Sequence, residues 1–138
     1  MKMFIKNFID GRWVDSDAGE TFERINPADT SEVVAVVSKA DKRDVDRAAD
    51  AARKAYNGWR HTPAPKRGEI LFRAGEILMK RKNELGELMT REMGKVLPEA
   101  LGDVQEAIDM AFYMAGEGRR LSGETVPSEL PDKDCKSV

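Results

Sequence analysis

The hydrophobic period of this chain changes at Asp41, and that change constrains the fold more than any total does. Before Asp41, short apolar runs alternate or cluster around turn residues; after it, apolar residues recur at three- and four-residue steps. Phe8-Ile9 and Trp13-Val14 flank Asp10-Gly11, a dipeptide suited to the two positive-φ positions of a type I′ hairpin turn. Thr21-Phe22-Glu23-Arg24-Ile25 alternates as a strand does, Asn26-Pro27-Ala28-Asp29 has turn chemistry, and Val33 to Val37 is a β-branched run. Residues 1–40 therefore read as β-hairpins.

From Asp41, itself a suitable N-cap, Val45, Ala48, Ala49, Ala52, Ala55, Tyr56 and Trp59 mark one face of an amphipathic helix. Gly58 and Thr62-Pro63-Ala64-Pro65 punctuate the chain. A second stripe, Ile70, Leu71, Ala74, Ile77 and Leu78, continues through Leu85, Leu88 and Met89. This is one long helix or two, with Asn83 available to cap the second. Gly94 then ends a helix in the left-handed conformation, Pro98 suits a first turn, and Leu101, Val104, Ile108, Ala111, Phe112 and Ala115 form the last apolar face. Residues 41–123 thus read as three or four amphipathic helices and 124–138 as an extended tail, an α+β arrangement within one domain.

At 138 residues the chain is long enough to bury a core without disulfides. Its 23 basic and 25 acidic side chains are interspersed, which argues against nucleic acid or an acidic membrane surface as partner. Cys135 is the only cysteine, consistent with a reducing compartment such as the cytoplasm, and no apolar run approaches membrane-spanning length.

Most motifs that suggest chemistry fail on inspection. Around Gly94-Lys95, a phosphate loop needs a glycine where Met89 stands and a hydroxyl where Val96 stands. Gly116-Glu-Gly118-Arg-Arg-Leu121 follows a helix and lacks the third glycine of a dinucleotide fingerprint. His61, the sole histidine, has no second ligand at metal spacing and reads as a surface loop residue. Cys135 lies between acidic and basic neighbours in the tail, where nothing enforces nucleophile geometry. Glu84 with Glu87 and Asp103 with Glu106 read as solvated helix faces, as does the Lys80-Arg81-Lys82 cluster. Met79, Met89, Met93, Met110 and Met114 read as core filling.

The order of segments carries more information. F-I-D-G-R-W-V, I-N-P-A-D-T-S-E-V-V-A-V-V, D-V-D-R-A-A-D-A-A-R-K-A-Y-N-G-W, P-A-P-K-R-G-E-I-L-F-R-A-G-E-I-L and T-R-E-M-G-K-V-L-P-E-A-L-G-D-V occur in succession. Together they closely resemble the beginning of the NAD(P)-dependent aldehyde dehydrogenases, from about Phe8 to Pro127. The resemblance implies the N-terminal part of an α/β fold. It also implies an enzyme class in which a cysteine thiolate attacks an aldehyde, hydride passes to NAD or NADP, and a glutamate-activated water releases the acid.

In that family the nucleophile, the glutamate, the oxyanion-stabilising asparagine and the cofactor loops come from chain beyond the segment resembled here, and Cys135 is outside the nucleophile motif. No catalytic or cofactor-binding residue is therefore assigned, and neither NAD nor NADP is expected to bind this segment alone. One feature carries over: a monovalent cation held by the backbone carbonyls of Arg24 and Ile25 and the carboxylate of Asp103. The expected partners are the remainder of an aldehyde dehydrogenase chain or homologous subunits, with self-association through apolar surface left uncovered at Val45, Trp59, Leu71, Ile77, Val104, Ile108 or Phe112. The alternative is a non-catalytic binding or regulatory module that docks on a full-length dehydrogenase subunit.

Overall fold

The computed structural model describes residues 3–120, 122–127 and 131–137. Strands β2 (Asn7–Ile9) and β3 (Arg12–Val14) form the expected hairpin, with Asp10 and Gly11 at φ 52° and 74°. Two positive φ values define the type I′ turn that matches strand twist. Phe8 faces Trp13 across it, ring centroids 5.0 Å apart.

Strands β4 (Thr21–Asn26) and β5 (Asp29–Ser38) pair antiparallel around the Asn26-Pro27 turn. The backbone N–H of Ala28 donates to Asn26 Oδ1 at 2.9 Å, which fixes that turn locally. A short strand that the hydrophobic pattern does not reveal, β1 (Met3–Ile5), adds to the other edge of β5 in parallel, giving the order β1-β5-β4. Three residues carry no readable alternation, and a parallel partner far along the chain leaves no local turn signal.

Helix α1 (Lys42–His61) starts at a capping box: Asp41 accepts from the amides of Arg43 and Asp44, and the Asp44 carboxylate accepts from the Asp41 amide. The helix runs through Gly58, contrary to the expected break there. It stops at Thr62, whose hydroxyl donates to the Gly58 carbonyl and whose amide donates to Trp59, because Pro63 disfavours helical backbone in the residue before it. His61 is accordingly exposed in the last helical turn rather than in a loop, with Nδ1 2.7 Å from the Asn57 carbonyl oxygen.

The second stripe resolves into two helices, α2 (Ala64–Lys80) and α3 (Lys82–Met93). The joint is Arg81, at φ −104° and ψ 12°, not Asn83, which lies exposed inside the first turn of α3. Gly94 ends α3 at φ 75°, as expected, and α4 (Leu97–Glu117) follows with Pro98 in its first turn. Ala100, Val104 and Ile108 form the buried stripe of α4, which lies against α2 and α3. The α2–α4 approach is close: a Cβ on Gly68 would fall 2.3 Å from the Ala115 carbonyl oxygen.

Two expectations about burial are corrected. Val45, Trp59, Leu71 and Ile77 are exposed, but Val104 and Ile108 are core residues and Phe112 is half-buried, edge-on to Phe72 with ring centroids 5.2 Å apart. Conversely, Met79, Met93, Met110 and Met114 are exposed and do not fill the core, because each helix carries a wider apolar face than its neighbours cover.

The stretch read as an extended tail contains strands β6 (Glu124–Pro127) and β7 (Asp134–Ser137), paired antiparallel with Cys135 opposite Val126. The reading of the Cys135 thiol concerns a side chain outside those described. Among the described residues no helix is long and apolar enough to cross a membrane.

Candidate functional site: the meeting of the Asn-Pro turn and the Gly-Lys loop

The Asn-Pro turn and the Gly-Lys loop come into contact. A Cβ on Gly94 would lie 2.8 Å from Pro27 Cγ, so the loop after α3 sits directly on the β4–β5 turn. Positive φ and this close approach both require glycine there. Asn26 is buried beneath the turn, and its Nδ2 donates to Glu32 Oε2 at 2.8 Å.

The other oxygen of Glu32 accepts from Arg91 Nε at 2.8 Å and lies 2.6 Å from Nη2, so the guanidinium fork closes on one carboxylate. Beside it, Arg24 of β4 pairs with Glu92 at 2.5 Å. Neighbouring residues at the end of α3 thus reach back to both strands with opposite charges. The Arg91 hydrogen bond first, and that of Asn26 second, hold the Glu32 carboxyl below its ordinary range. A carboxylate so held stays ionised near neutrality and is a poor proton acceptor, so this cluster docks the hairpin on the helices and is unsuited to acid–base work.

Lys95 turns the other way. Its side chain is only 22% exposed, and its ammonium donates to the Asp103 carboxylate in the second turn of α4. Tethered there, it is not free to reach a phosphate. Of the three residues expected at a cation site, Arg24 and Ile25 lie at a break in the β4–β5 register, and Asp103 is engaged by Lys95. Among the described side chains no hydrogen bond or ion pair links Asp103 to Arg24 or Ile25. Among the described residues no group of three acidic, histidine or cysteine side chains is arranged so that it could hold a metal ion.

A second charged cluster escapes the sequence reading. Asp44, 1% exposed, is the largest fully buried side chain. Its Oδ2 accepts from Ser16 Oγ at 2.8 Å and the Asp41 amide at 3.0 Å; its Oδ1 accepts from the Asp17 amide at 3.2 Å and Arg47 Nη2 at 3.1 Å. The Asp41 amide is the first cause of its lowered pKa, and burial acts in the opposite direction. The spacing Asp41-x-x-Asp44 was the available signal, since a carboxylate at the third helical position belongs to a capping box.

The family model for the aldehyde dehydrogenase family matches residues 13–138. The chain belongs to the aldehyde dehydrogenase family. Among curated relatives it is 48% identical to an alpha-ketoglutarate semialdehyde dehydrogenase of Haloferax volcanii, over 86% of this chain and 24% of that protein. It is 41% identical to an alpha-ketoglutaric semialdehyde dehydrogenase of Bacillus subtilis, over 94% of this chain and 26% of the relative. The solved structure of an NAD-dependent aldehyde dehydrogenase from Sinorhizobium meliloti superposes with a TM-score of 0.90 at 30% identity, covering 97% of this chain and 27% of that one. A betaine aldehyde dehydrogenase from Staphylococcus aureus, solved with NAD+, gives a TM-score of 0.87 at 32% identity, covering 95% of this chain and 26% of that one. The chain thus spans about a quarter of the length of these aldehyde dehydrogenases and corresponds to their N-terminal part.

Proposed function

We propose that this chain serves as the N-terminal packing unit of an NAD(P)-dependent aldehyde dehydrogenase subunit, contributing structure to the oxidation of an aldehyde to its acid and no catalytic side chain of its own. The observation that carries this reading is the family match over residues 13–138 joined to the coverage of about a quarter of each relative. NAD(P), when bound to such a subunit, supplies the hydride acceptor. The residues described here offer packing faces and the ion-paired junction of Arg24, Glu32, Arg91 and Glu92.

The test is complementation. The chain is co-expressed with the remaining three quarters of the Haloferax volcanii relative as a separate polypeptide, and the expected result is co-elution with restored aldehyde-dependent reduction of NAD or NADP. Alone, the chain is expected to self-associate and to show no reduction of either nucleotide with short aldehydes. Cys135-dependent turnover by the chain alone overturns the proposal. Co-elution with an intact dehydrogenase, without exchange into it, favours the docking-module alternative.

The cation site belongs to the same proposal. The carbonyls of Arg24 and Ile25 lie where the β4–β5 ladder is irregular, and hard monovalent cations take oxygen ligands. The fit is partial, because Lys95 already neutralises Asp103, so a cation there has to displace the ammonium. A melting temperature that differs between sodium and choline chloride at equal ionic strength, and ceases to differ in Asp103→Asn, supports it.

A further inference from the structure

An open groove of about 440 Å³ runs between the C-terminal end of α1, the first half of α2 and the last turns of α4. Trp59, Ile70, Leu71 and Met114 line it, all exposed, and Arg67 enters it with its guanidinium 5.8 Å from the Trp59 ring. Its walls are fixed by backbone contact: a Cβ on Gly68 would fall 2.3 Å from the Ala115 carbonyl oxygen, and one on Gly118 2.6 Å from that of Ala64. Helices in such contact cannot close further to fill the space.

Arg67 is the unusual member. It is half-buried, and its Nε is buried without an acceptor. Glu117, on the groove wall, pairs with Arg120, and Glu69 of α2 accepts from Lys66 at 2.9 Å. The Trp59 face attracts the cation but offers no hydrogen-bond acceptor lone pair. A guanidinium that lines an apolar groove without a carboxylate of its own among the described residues is matched by an arriving carboxylate, which supplies both the countercharge and acceptor oxygens.

We propose that this groove is the docking site for a polypeptide segment presenting a carboxylate side chain between apolar ones, the carboxylate pairing with the Arg67 guanidinium where it lines the groove and the apolar neighbours covering Trp59, Leu71 and Met114. The inference deepens the packing-unit reading and rests on it for the kind of occupant. The relatives are roughly four times as long as this chain, so polypeptide, not a small acid, is the partner such a subunit supplies.

The experiment uses the intact chain and two probe peptides, N-acetyl-Leu-Glu-Leu-amide and N-acetyl-Leu-Gln-Leu-amide, with sodium 4-phenylbutyrate as a small-acid arm, followed by NMR of the Trp59 indole and Arg67 Nε–H signals. The glutamate peptide is expected to shift both signals saturably and to bind at least about tenfold more tightly than the glutamine peptide. Arg67→Gln, with its fold checked by circular dichroism, is expected to abolish that preference, and Arg67→Lys to retain part of it through charge alone. Equal binding of the two peptides, or an unchanged preference in Arg67→Gln, overturns the proposal, and phenylbutyrate binding more tightly than the glutamate peptide reassigns the groove to small acids. Failure to co-elute in the complementation experiment counts against the packing-unit reading, whereas loss of the glutamate preference counts against this site, so the two fall separately.

Discussion

Each end of helix α1 meets a charged side chain, Asp44 buried at one and the half-buried Arg67 of α2 at the other, and the two ends are finished differently. At its N-terminus Asp44 is 1% exposed and accepts from Ser16, Asp17, Asp41 and Arg47. At its C-terminus Trp59 meets Arg67, whose Nε is buried with no acceptor. Buried charge is tolerable when hydrogen bonds replace the lost water, so the first end is closed by this chain's own residues. The second has walls, a cation and no counter-ion. That contrast separates parts of the fold that are self-sufficient from parts addressed to a partner.

The largest effect is expected where the closed end is opened. Asp44→Ala strands the Ser16 hydroxyl and the amides of Asp17 and Asp41 together, and should lower the melting temperature by roughly 10 °C in circular dichroism. The pH dependence has a definite sign. The folded pKa of Asp44 lies below its unfolded value, so its contribution is fully present above the ordinary aspartate range and is lost as the pH falls through the depressed value. Asp41 and Glu32 are shifted in the same direction. Acid should therefore destabilise the parent more steeply than Asp44→Ala. Equal acid sensitivity of parent and variant breaks the comparison.

Removing a single donor grades the effect. Ser16→Ala deletes the 2.8 Å bond to Asp44 Oδ2 and the 3.3 Å bond that Ser16 Oγ accepts from the Ala18 amide, but leaves the carboxylate oxygen the Asp41 amide, so a loss of about 1–2 kcal/mol is expected in denaturant melts. A loss as large as that of Asp44→Ala means that the Ser16 loop, not the carboxylate, organises this end.

How far each end is legible in the sequence follows from the range of its interactions. The N-terminal end is largely local: Asp41 and Asp44 sit three residues apart in a recognisable capping pattern, and only Ser16 and Asp17 come from elsewhere. The Asp10-Gly11 turn and the Gly94 stop are legible for the same reason, since each is a backbone conformation demanded by neighbours in the chain. The C-terminal end is not. What sets Arg67 apart is that its Nε is buried without an acceptor, and that depends on how distant segments pack around it rather than on its neighbours in the chain. The same limit hides the parallel pairing of β1 with β5 and the contact between Gly94 and Pro27, both set by distant segments. Gly58 shows the reverse failure: a residue that usually interrupts a helix is carried through one by its neighbours.

Gly58 also offers a smaller perturbation, of opposite sign, one residue from the open end. It lies inside α1 with nothing within 4 Å of a Cβ, and its backbone is helical. Gly58→Ala should stabilise the chain by about 0.5–1 kcal/mol, chiefly by restricting the unfolded chain, and should leave the glutamate-peptide preference at Arg67 unchanged. A destabilising result would show that the last turn of α1 needs the freedom of glycine.

The smallest change in stability is expected from the substitution that looks most disruptive, Arg67→Met. Removing one member of a satisfied ion pair is costly because it leaves the other charge uncompensated, but among the described residues Arg67 has no carboxylate partner to strand. The methionine keeps an apolar stem against Trp59 and eliminates the orphaned Nε–H, so the lost cation–π attraction is offset by the donor no longer held dry. Denaturant melts should place Arg67→Met within about 0.5 kcal/mol of the parent, while its selectivity for a carboxylate-bearing peptide disappears. A destabilisation comparable to that of Asp44→Ala would mean that Arg67 is already bound within this chain, and the distinction between the two ends of α1 would vanish.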